Sequence, residues 1–366
     1  MRAFGITYDT GFTSGGTTTH EPFLPDIVQR EMRVIRDDLR CDAVRITGGD
    51  ADRLEIAARA AADAGLEVWY SPFTNGLTQD GLFAFLLDAA ERAERIRRGG
   101  ARVVFLTGSE VSLFTDGFLP GGSLRERTAL LADDPAAFRA LLPRLHADLN
   151  AFLGRVVGEV RGRFGGRVGY ASVAFEGVDW TPFDVAATDS GYRDATNAGT
   201  FAGALQGQLA RLGPETAFAV TEFGCGTFRG AGDLGGRGDS IVEWGDDARP
   251  VRIAAGTVRD EGEQALYVRE MLEVYDGVGG VDAAFVYTFA RWDLPGTAGD
   301  GGGTGDGAGD GTGGGTGGDP ERDFDAASFG VVRVLPPGAA RGPYAELGWE
   351  PKAAFHVLAG FGRARG

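Results

Sequence analysis

The sequence predicts an α/β protein folded as a (β/α)8 barrel, and three observations lead there. Short β-branched or aromatic runs alternate with longer helical patterns for most of the 366 residues. The runs are apolar on both faces, as in a parallel sheet covered by helices rather than a sheet with one wet side. The runs number eight, which suits a closed barrel better than an open doubly wound sheet. An open dinucleotide-binding sheet would also show GxGxxG after its first strand, and "GITYDTGFTSGG" lacks it.

Each element has its own signal. "RAFGITYD" (2–9) is the first strand, and "PDIVQREMRVIRDDL" (25–39) the first helix, with Ile27, Met32, Val34, Ile35 and Leu39 near one face. "AVRIT" (43–47) follows, then a helix over 50–65 that starts on the capping side chain of Asp50 and stops at Gly65. "EVWYSP" (67–72) and "RVVFLTG" (102–108) are strands three and four, each followed by a long amphipathic stretch, 82–100 and 134–163. "RVGYASVAF" (167–175) and "FDVAATD" (183–189) are joined by "EGVDWTPF", which is too short for a full helix. Helix 197–213, strand "AFAVTEF" (217–223), helix 261–277 and strand "AAFVYTF" (283–289) continue the alternation, and helix 350–362 closes it. The stretch 296–320 is almost pure Gly, Asp and Thr; it cannot bury enough apolar area to offset its ordering entropy and reads as a flexible insertion after strand eight. Its Asp spacing suggests calcium, but the large apolar residue of the calcium-binding nonapeptide repeat is missing. Residues 1–366 therefore read as one domain.

Composition removes several classes of function. The formal net charge of −16 repels nucleic-acid phosphates and anionic lipid, so neither is an expected partner. Cys41 and Cys225 make no disulfide framework, and Cys225 has no His partner for nucleophilic catalysis. His20, His146 and His356 are scattered, so no His/Cys metal centre and no cofactor are expected. No apolar run approaches the ~18 residues of a membrane span, and the start "MRAFGITYD" has no leader pattern, so the expectation is a soluble cytoplasmic protein.

A barrel of this kind builds its site at the C-terminal ends of its strands. Strand one ends in Tyr8 and Asp9, strand two carries Arg45, and strand four ends "LTGSE", with Ser109 and Glu110 at its mouth. Strand five ends in Glu176 with Trp180 just beyond, and strand six gives Asp189 and Tyr192. Strand seven ends in Glu222, and strand eight in Tyr287, Arg291 and Trp292. Glu110 and Glu222 face each other across the mouth, an arrangement that suits a retaining glycosidase when the carboxylates lie ~5–5.5 Å apart. One must stay protonated to assist the leaving oxygen while the other attacks the anomeric carbon, so their environments must differ. Arg45 is placed to keep a nearby nucleophile ionised. Glu176 competes for the acid/base role. Trp180, Tyr192 and Trp292 offer aromatic faces to a sugar, and Asp9, Asp189 and Arg291 offer hydrogen bonds to its hydroxyls. The expected partner is a small-molecule or oligosaccharide substrate; the oligomeric state is not legible.

These segments resemble the clan A glycoside hydrolases. "VVFLTGSEVSLF" is similar to that group's strand-four motif and "FAVTEFGCGTF" to its strand-seven motif. "FVYTFARWD" resembles its strand-eight segment, "VDWTPFDVAATDSGY" its short crossing from strand five to six, and "SFGVVRV…WEPKAAFHVL" its closing stretch. The resemblance implies a (β/α)8 barrel with Glu110 as acid/base and Glu222 as nucleophile. It departs at Ser109, where the group usually has an Asn that contacts the sugar 2-hydroxyl, and at the mouth, where many members place a His. Two other readings stand beside hydrolysis: a barrel diverted to other chemistry on a natural product, and a binding or regulatory protein that keeps the fold without turnover.

Overall fold

The computed structural model describes residues 1–297 and 319–365. Eight parallel strands close into a barrel: β1 (Ala3–Asp9), β2 (Ala43–Gly48), β3 (Glu67–Pro72), β4 (Val103–Ser109), β5 (Arg167–Ser172), β6 (Val185–Thr188), β7 (Ala217–Phe223) and β8 (Val281–Val286). Neighbours in sequence are neighbours in space, and β8 pairs with β1 through Ala3–Ala283 to Ile6–Val286. All eight predicted strands are present, with the fifth and eighth ending earlier than their apolar runs suggest.

The residues sort by side-chain alternation. Small groups from every second position, including Ala3, Ala43, Ala171, Ala187, Ala219 and Ala283, fill the barrel interior around Trp69, Leu106 and Phe285. Trp69 and Phe285 meet edge to face at 4.9 Å between ring centroids. The outward set, among them Phe4, Ile6, Val44, Phe105, Val220 and Phe223, packs against the helices. Burial of apolar surface on both faces drives this arrangement.

The predicted helices are present as α1 (Pro25–Arg33), α2 (Ala51–Asp63), α3 (Gln79–Arg98), α4 (Pro135–Arg161), α5 (Phe201–Leu209), α6 (Glu261–Gly277) and α7 (Ala353–Arg365). Helix α1 begins with Pro at its first position, and a π-turn over Val34–Asp38 continues it across the length the sequence suggests. The Asp50 carboxylate caps α2 by accepting from the N–H groups of Asp52 and Arg53. The crossing from β5 to β6 contains no helix, as its length requires.

Loops carry elements that no periodicity announced. A helix over Leu124–Asp133 precedes α4, and a hairpin of Val242–Trp244 with Pro250–Ile253 lies between β7 and α6. A second hairpin joins Val332–Val334 to Trp349–Pro351. Beside it the buried Lys352 ammonium donates to Thr227 Oγ1 at 2.8 Å and to Asp325 at 3.2 Å, tying the C-terminal segment to the loop after β7. The greater part of the predicted insertion, 298–318, lies outside the described residues. Among the described residues no helix is long and apolar enough to cross a membrane.

Candidate active site

Plain alternation would put Glu222 on the helix-facing side of β7, in step with Val220. A register irregularity prevents this. Between its pairings with Ala284 and Val286 of β8, β7 advances from Val220 to Phe223, one residue more than its partner. Val220 and Phe223 therefore both face the helices, and Glu222 is left to turn toward the mouth. Strand β4 repeats the device: against β5 it advances from Leu106 to Ser109 while its partner advances only from Gly169 to Ala171. Gly108 sits in that bulge at φ +105°, where a β-carbon would approach Val111 Cγ2 at 2.8 Å. Glu110 follows in left-handed backbone, φ 46° and ψ 39°, a conformation that costs a non-glycine residue roughly 1–2 kcal/mol.

Beneath the two glutamates lies a buried polar layer centred on Arg45, which is fully buried. Its Nη1–H donates to Glu222 Oε1 at 2.8 Å and to the Thr221 carbonyl at 3.2 Å. Its Nη2–H donates to Ser109 Oγ at 2.7 Å, its Nε–H to Ser71 Oγ at 3.1 Å, and Asp189 Oδ1 lies 3.1 Å from Nη1. The Ser109 hydroxyl in turn donates to Asp189 Oδ2. The Tyr192 hydroxyl donates to Glu222 Oε2 at 3.1 Å.

The two carboxyl groups therefore sit in different surroundings. Burial lifts Glu222 to about 8, and the Asp189 charge adds to the rise, while Arg45 and Tyr192 pull the other way. Glu110 is driven well above the usual carboxylate range, first by burial and then by the charges of Asp189, Glu222 and Glu176, while the charge of Arg45 pulls the other way. Among the described residues no group donates a hydrogen bond to its carboxylate. Both shifts favour the protonated form, and the hydrogen bonds that oppose it, from Arg45 and Tyr192, fall on Glu222.

Both glutamates line one cavity of about 660 Å3 at the C-terminal ends of the strands. Asp9, Asp189, Tyr192, Tyr287 and Arg291 border it as well, so these predicted residues are brought together. The Asp9 carboxylate also holds its own loop, accepting from the Gly11 N–H at 2.8 Å and from the Thr19 hydroxyl. Arg291 forms a two-pronged pair with Asp293 at 2.8 and 2.7 Å.

Other predicted contacts are placed elsewhere. Tyr8 points into the helix layer, where its hydroxyl donates to Glu31 on α1, because its position on β1 is an outward one. Glu176 is fully buried, accepts from Ser112, Tyr170 and the Val173 N–H, and does not line the cavity that holds Glu110 and Glu222. Trp180 lies on the helix-free crossing and lines a separate outer cavity of about 670 Å3. Trp292 stacks on the His20 ring at 5.2 Å instead of facing the cavity. That histidine, in the loop after β1, is buried against the mouth and donates from Nδ1 to the Asp9 carbonyl at 2.7 Å. Arg45, Ser109 and the Asp189 carboxylate form the layer under the floor, since the Arg45 and Asp189 side chains have no exposed surface and Ser109 is 3 % exposed. The cavity also contains residues that sequence reasoning missed, chiefly Phe12, Phe73 and Phe114. Their only signal is a phenylalanine within a few residues of the ends of β1, β3 and β4. No group of three or more His, Cys, Asp and Glu among the described residues is arranged to hold a metal ion.

No family model matches the chain, and no curated protein matches it by sequence. Solved structures do. A GH113 β-1,4-mannanase aligns over 100% of both chains at 13% identity with a TM-score of 0.60. The GH113 β-mannanase AaManA from Alicyclobacillus acidocaldarius aligns over 100% of this chain and 99% of its own at 14% identity and a TM-score of 0.58. A GH2 β-galacturonidase from Eisenbergiella tayi aligns over 100% of this chain and 52% of its own at 13% identity and a TM-score of 0.54. At these identities the likeness is one of fold: the chain has the (β/α)8 barrel that it shares with these proteins.

Proposed function

We propose that the chain is a retaining glycoside hydrolase acting on β-linked glycosides, with Glu222 as nucleophile and Glu110 as acid/base. The observation that carries this reading is the asymmetry of two carboxyl groups in one cavity. Arg45 and Tyr192 donate to Glu222 and oppose the rise that burial and Asp189 cause, whereas among the described residues no group donates to the Glu110 carboxylate, which is crowded by like charges. In the first step Glu222 attacks the anomeric carbon, the glycosidic C–O bond breaks, and Glu110 gives its proton to the departing oxygen. In the second, Glu110 takes a proton from water as that water displaces Glu222 from the same carbon, so configuration is retained.

Glu222→Ala and Glu110→Gln are the decisive variants, assayed on aryl β-glycosides. β-Mannosides and β-galacturonides come first, because the neighbouring structures carry those names. Glu222→Ala abolishes turnover, and Glu110→Gln lowers it roughly 10²–10⁴-fold on a poor leaving group. Wild-type rates in both variants would sink the assignment, and an inverted anomer in the product spectrum would replace retention by inversion.

A further inference from the structure

The cavity has two unlike walls. The wall on the side of β6, β7 and β8 is mainly polar and includes Tyr192, Glu222, Asp239, Tyr287 and Arg291, with Phe329 packed against the two tyrosines. The wall on the side of β3 and β4 is mainly apolar and starts at Glu110 itself; at its β1 end it meets Asp9 and Thr19, whose carboxylate and hydroxyl are bonded to each other. The N–H groups of Leu113 and Phe114 donate to the Glu110 carbonyl at 2.9 and 3.2 Å, so these side chains share one helical turn with the acid. The Phe114 ring meets Phe73 at 4.8 Å and Phe12 at 5.3 Å, and Phe12 meets Phe73 at 5.2 Å, all edge to face. Leu124 extends the wall. All three phenylalanines are only half-buried and border the cavity, so apolar surface is left facing the space next to the acid.

We propose that this wall receives an apolar aglycone, so that the site hydrolyses β-glycosides of aromatic or alkyl alcohols in preference to β-linked oligosaccharides. The proposal rests on the glycosidase reading above, since the acid must stand between the sugar and its leaving group. A second sugar laid on the rings of Phe12, Phe73 and Phe114 brings free hydroxyls to carbon surface, which offers them no partner, and each unmet group costs free energy. Thr19, Thr47 and Thr128 border this side; the Thr19 hydroxyl already donates to Asp9 and accepts from the Phe12 N–H, and Thr128 is exposed at the margin. An aromatic or alkyl group loses only its unfavourable hydration there and gains edge and face contacts with the rings. The sugar hydroxyls meet the polar wall. The reaction consumes one water and releases a free sugar and an apolar alcohol or phenol.

Three substrates of one sugar separate the outcomes in the full-length protein: the glycosyl fluoride, the naphthyl β-glycoside and the β-1,4-linked disaccharide. The fluoride needs neither acid assistance nor an aglycone contact, so its turnover, lost in Glu222→Ala, tests the glycosidase reading alone. The expected result is a kcat/KM for the naphthyl glycoside at least tenfold above that of the disaccharide. Phe73→Ala and Phe114→Ala then reduce kcat/KM on the naphthyl glycoside roughly tenfold more than on the fluoride. Fluoride turnover with a preference for the disaccharide overturns the aglycone assignment and leaves the glycosidase standing. Failure to turn over a fluoride of any common hexose or hexuronic acid overturns both.

Discussion

At Ser109 the usual side chain of the resembled group is an amide, and here a hydroxyl is fully engaged by the protein itself. It accepts from Arg45 Nη2–H at 2.7 Å and donates its one proton to Asp189. The consequence is a buried Ser109–Asp189 unit that shares Arg45 with Glu222, with no donor left for a substrate hydroxyl. Asp189 therefore acts through Arg45 and through its charge, as a positioning residue. The groups facing Glu222 are Arg45 from β2, Asp189 and Tyr192 from the end of β6, Glu110 from the end of β4 and Tyr287 from β8. Asp189 is the leading charge that raises both glutamates. Removing it as Asp189→Asn lowers both, so Glu222 ionises and Glu110 loses its proton at lower pH. Both limbs of the pH profile of kcat/KM then move to the acid side, by roughly one unit. A profile that stays in place while kcat falls would make Asp189 a purely structural support.

At the scale of elements, the strands were legible because apolar runs and helical periods leave a repeating trace, and the aim of the site residues was not. Strict alternation along "FAVTEF" puts Glu222 with Val220 on the outer face; only the bulge against β8 turns it inward. A bulge is set by pairing with another strand, and no local pattern records it. Tyr8 shows the converse. It ends a strand, as a site residue should, yet no bulge redirects it and it faces α1. The bulge of β4 makes this dependence testable at Gly108. Gly108→Ala adds a β-carbon 2.8 Å from Val111 Cγ2 at φ +105°, a region that favours glycine. The expected loss is about 2 kcal/mol in chemical denaturation, with activity falling further than stability because Glu110 is two residues on. Wild-type stability and activity in that variant would show that the bulge tolerates a side chain and does not aim the acid.

For the whole molecule, the barrel was readable from eight apolar runs, but the cavity's apolar wall was not. Phe12, Phe73 and Phe114 come from three loops that meet only once the barrel has closed. Closure also buries carboxyl groups, and this fixes how stability depends on pH. Burial is the leading cause that lifts Glu31 and Glu176 to about 7 and Glu222 to about 8, and it lifts Asp9 and Glu110 as well. In the unfolded chain such groups titrate near ~4. Between those limits the folded state binds more protons than the unfolded one, so rising pH favours unfolding. His20 opposes this, since burial lowers it and its protonation favours the unfolded chain at acid pH, but it is one group against five. Ion-paired Glu67 and Asp282 are lowered, and their contribution is lost only as pH falls below the ordinary carboxylate range. Thermal stability should therefore peak near pH 5 and fall by roughly 5 °C toward pH 8. Glu176→Gln removes one of the five groups, so its Tm falls less steeply over the same interval whatever its Tm at pH 5. A Tm that rises from pH 5 to pH 8 would mean that the buried carboxyls stay ionised in the fold, and the protonated Glu110 on which the proposed chemistry depends would go with them.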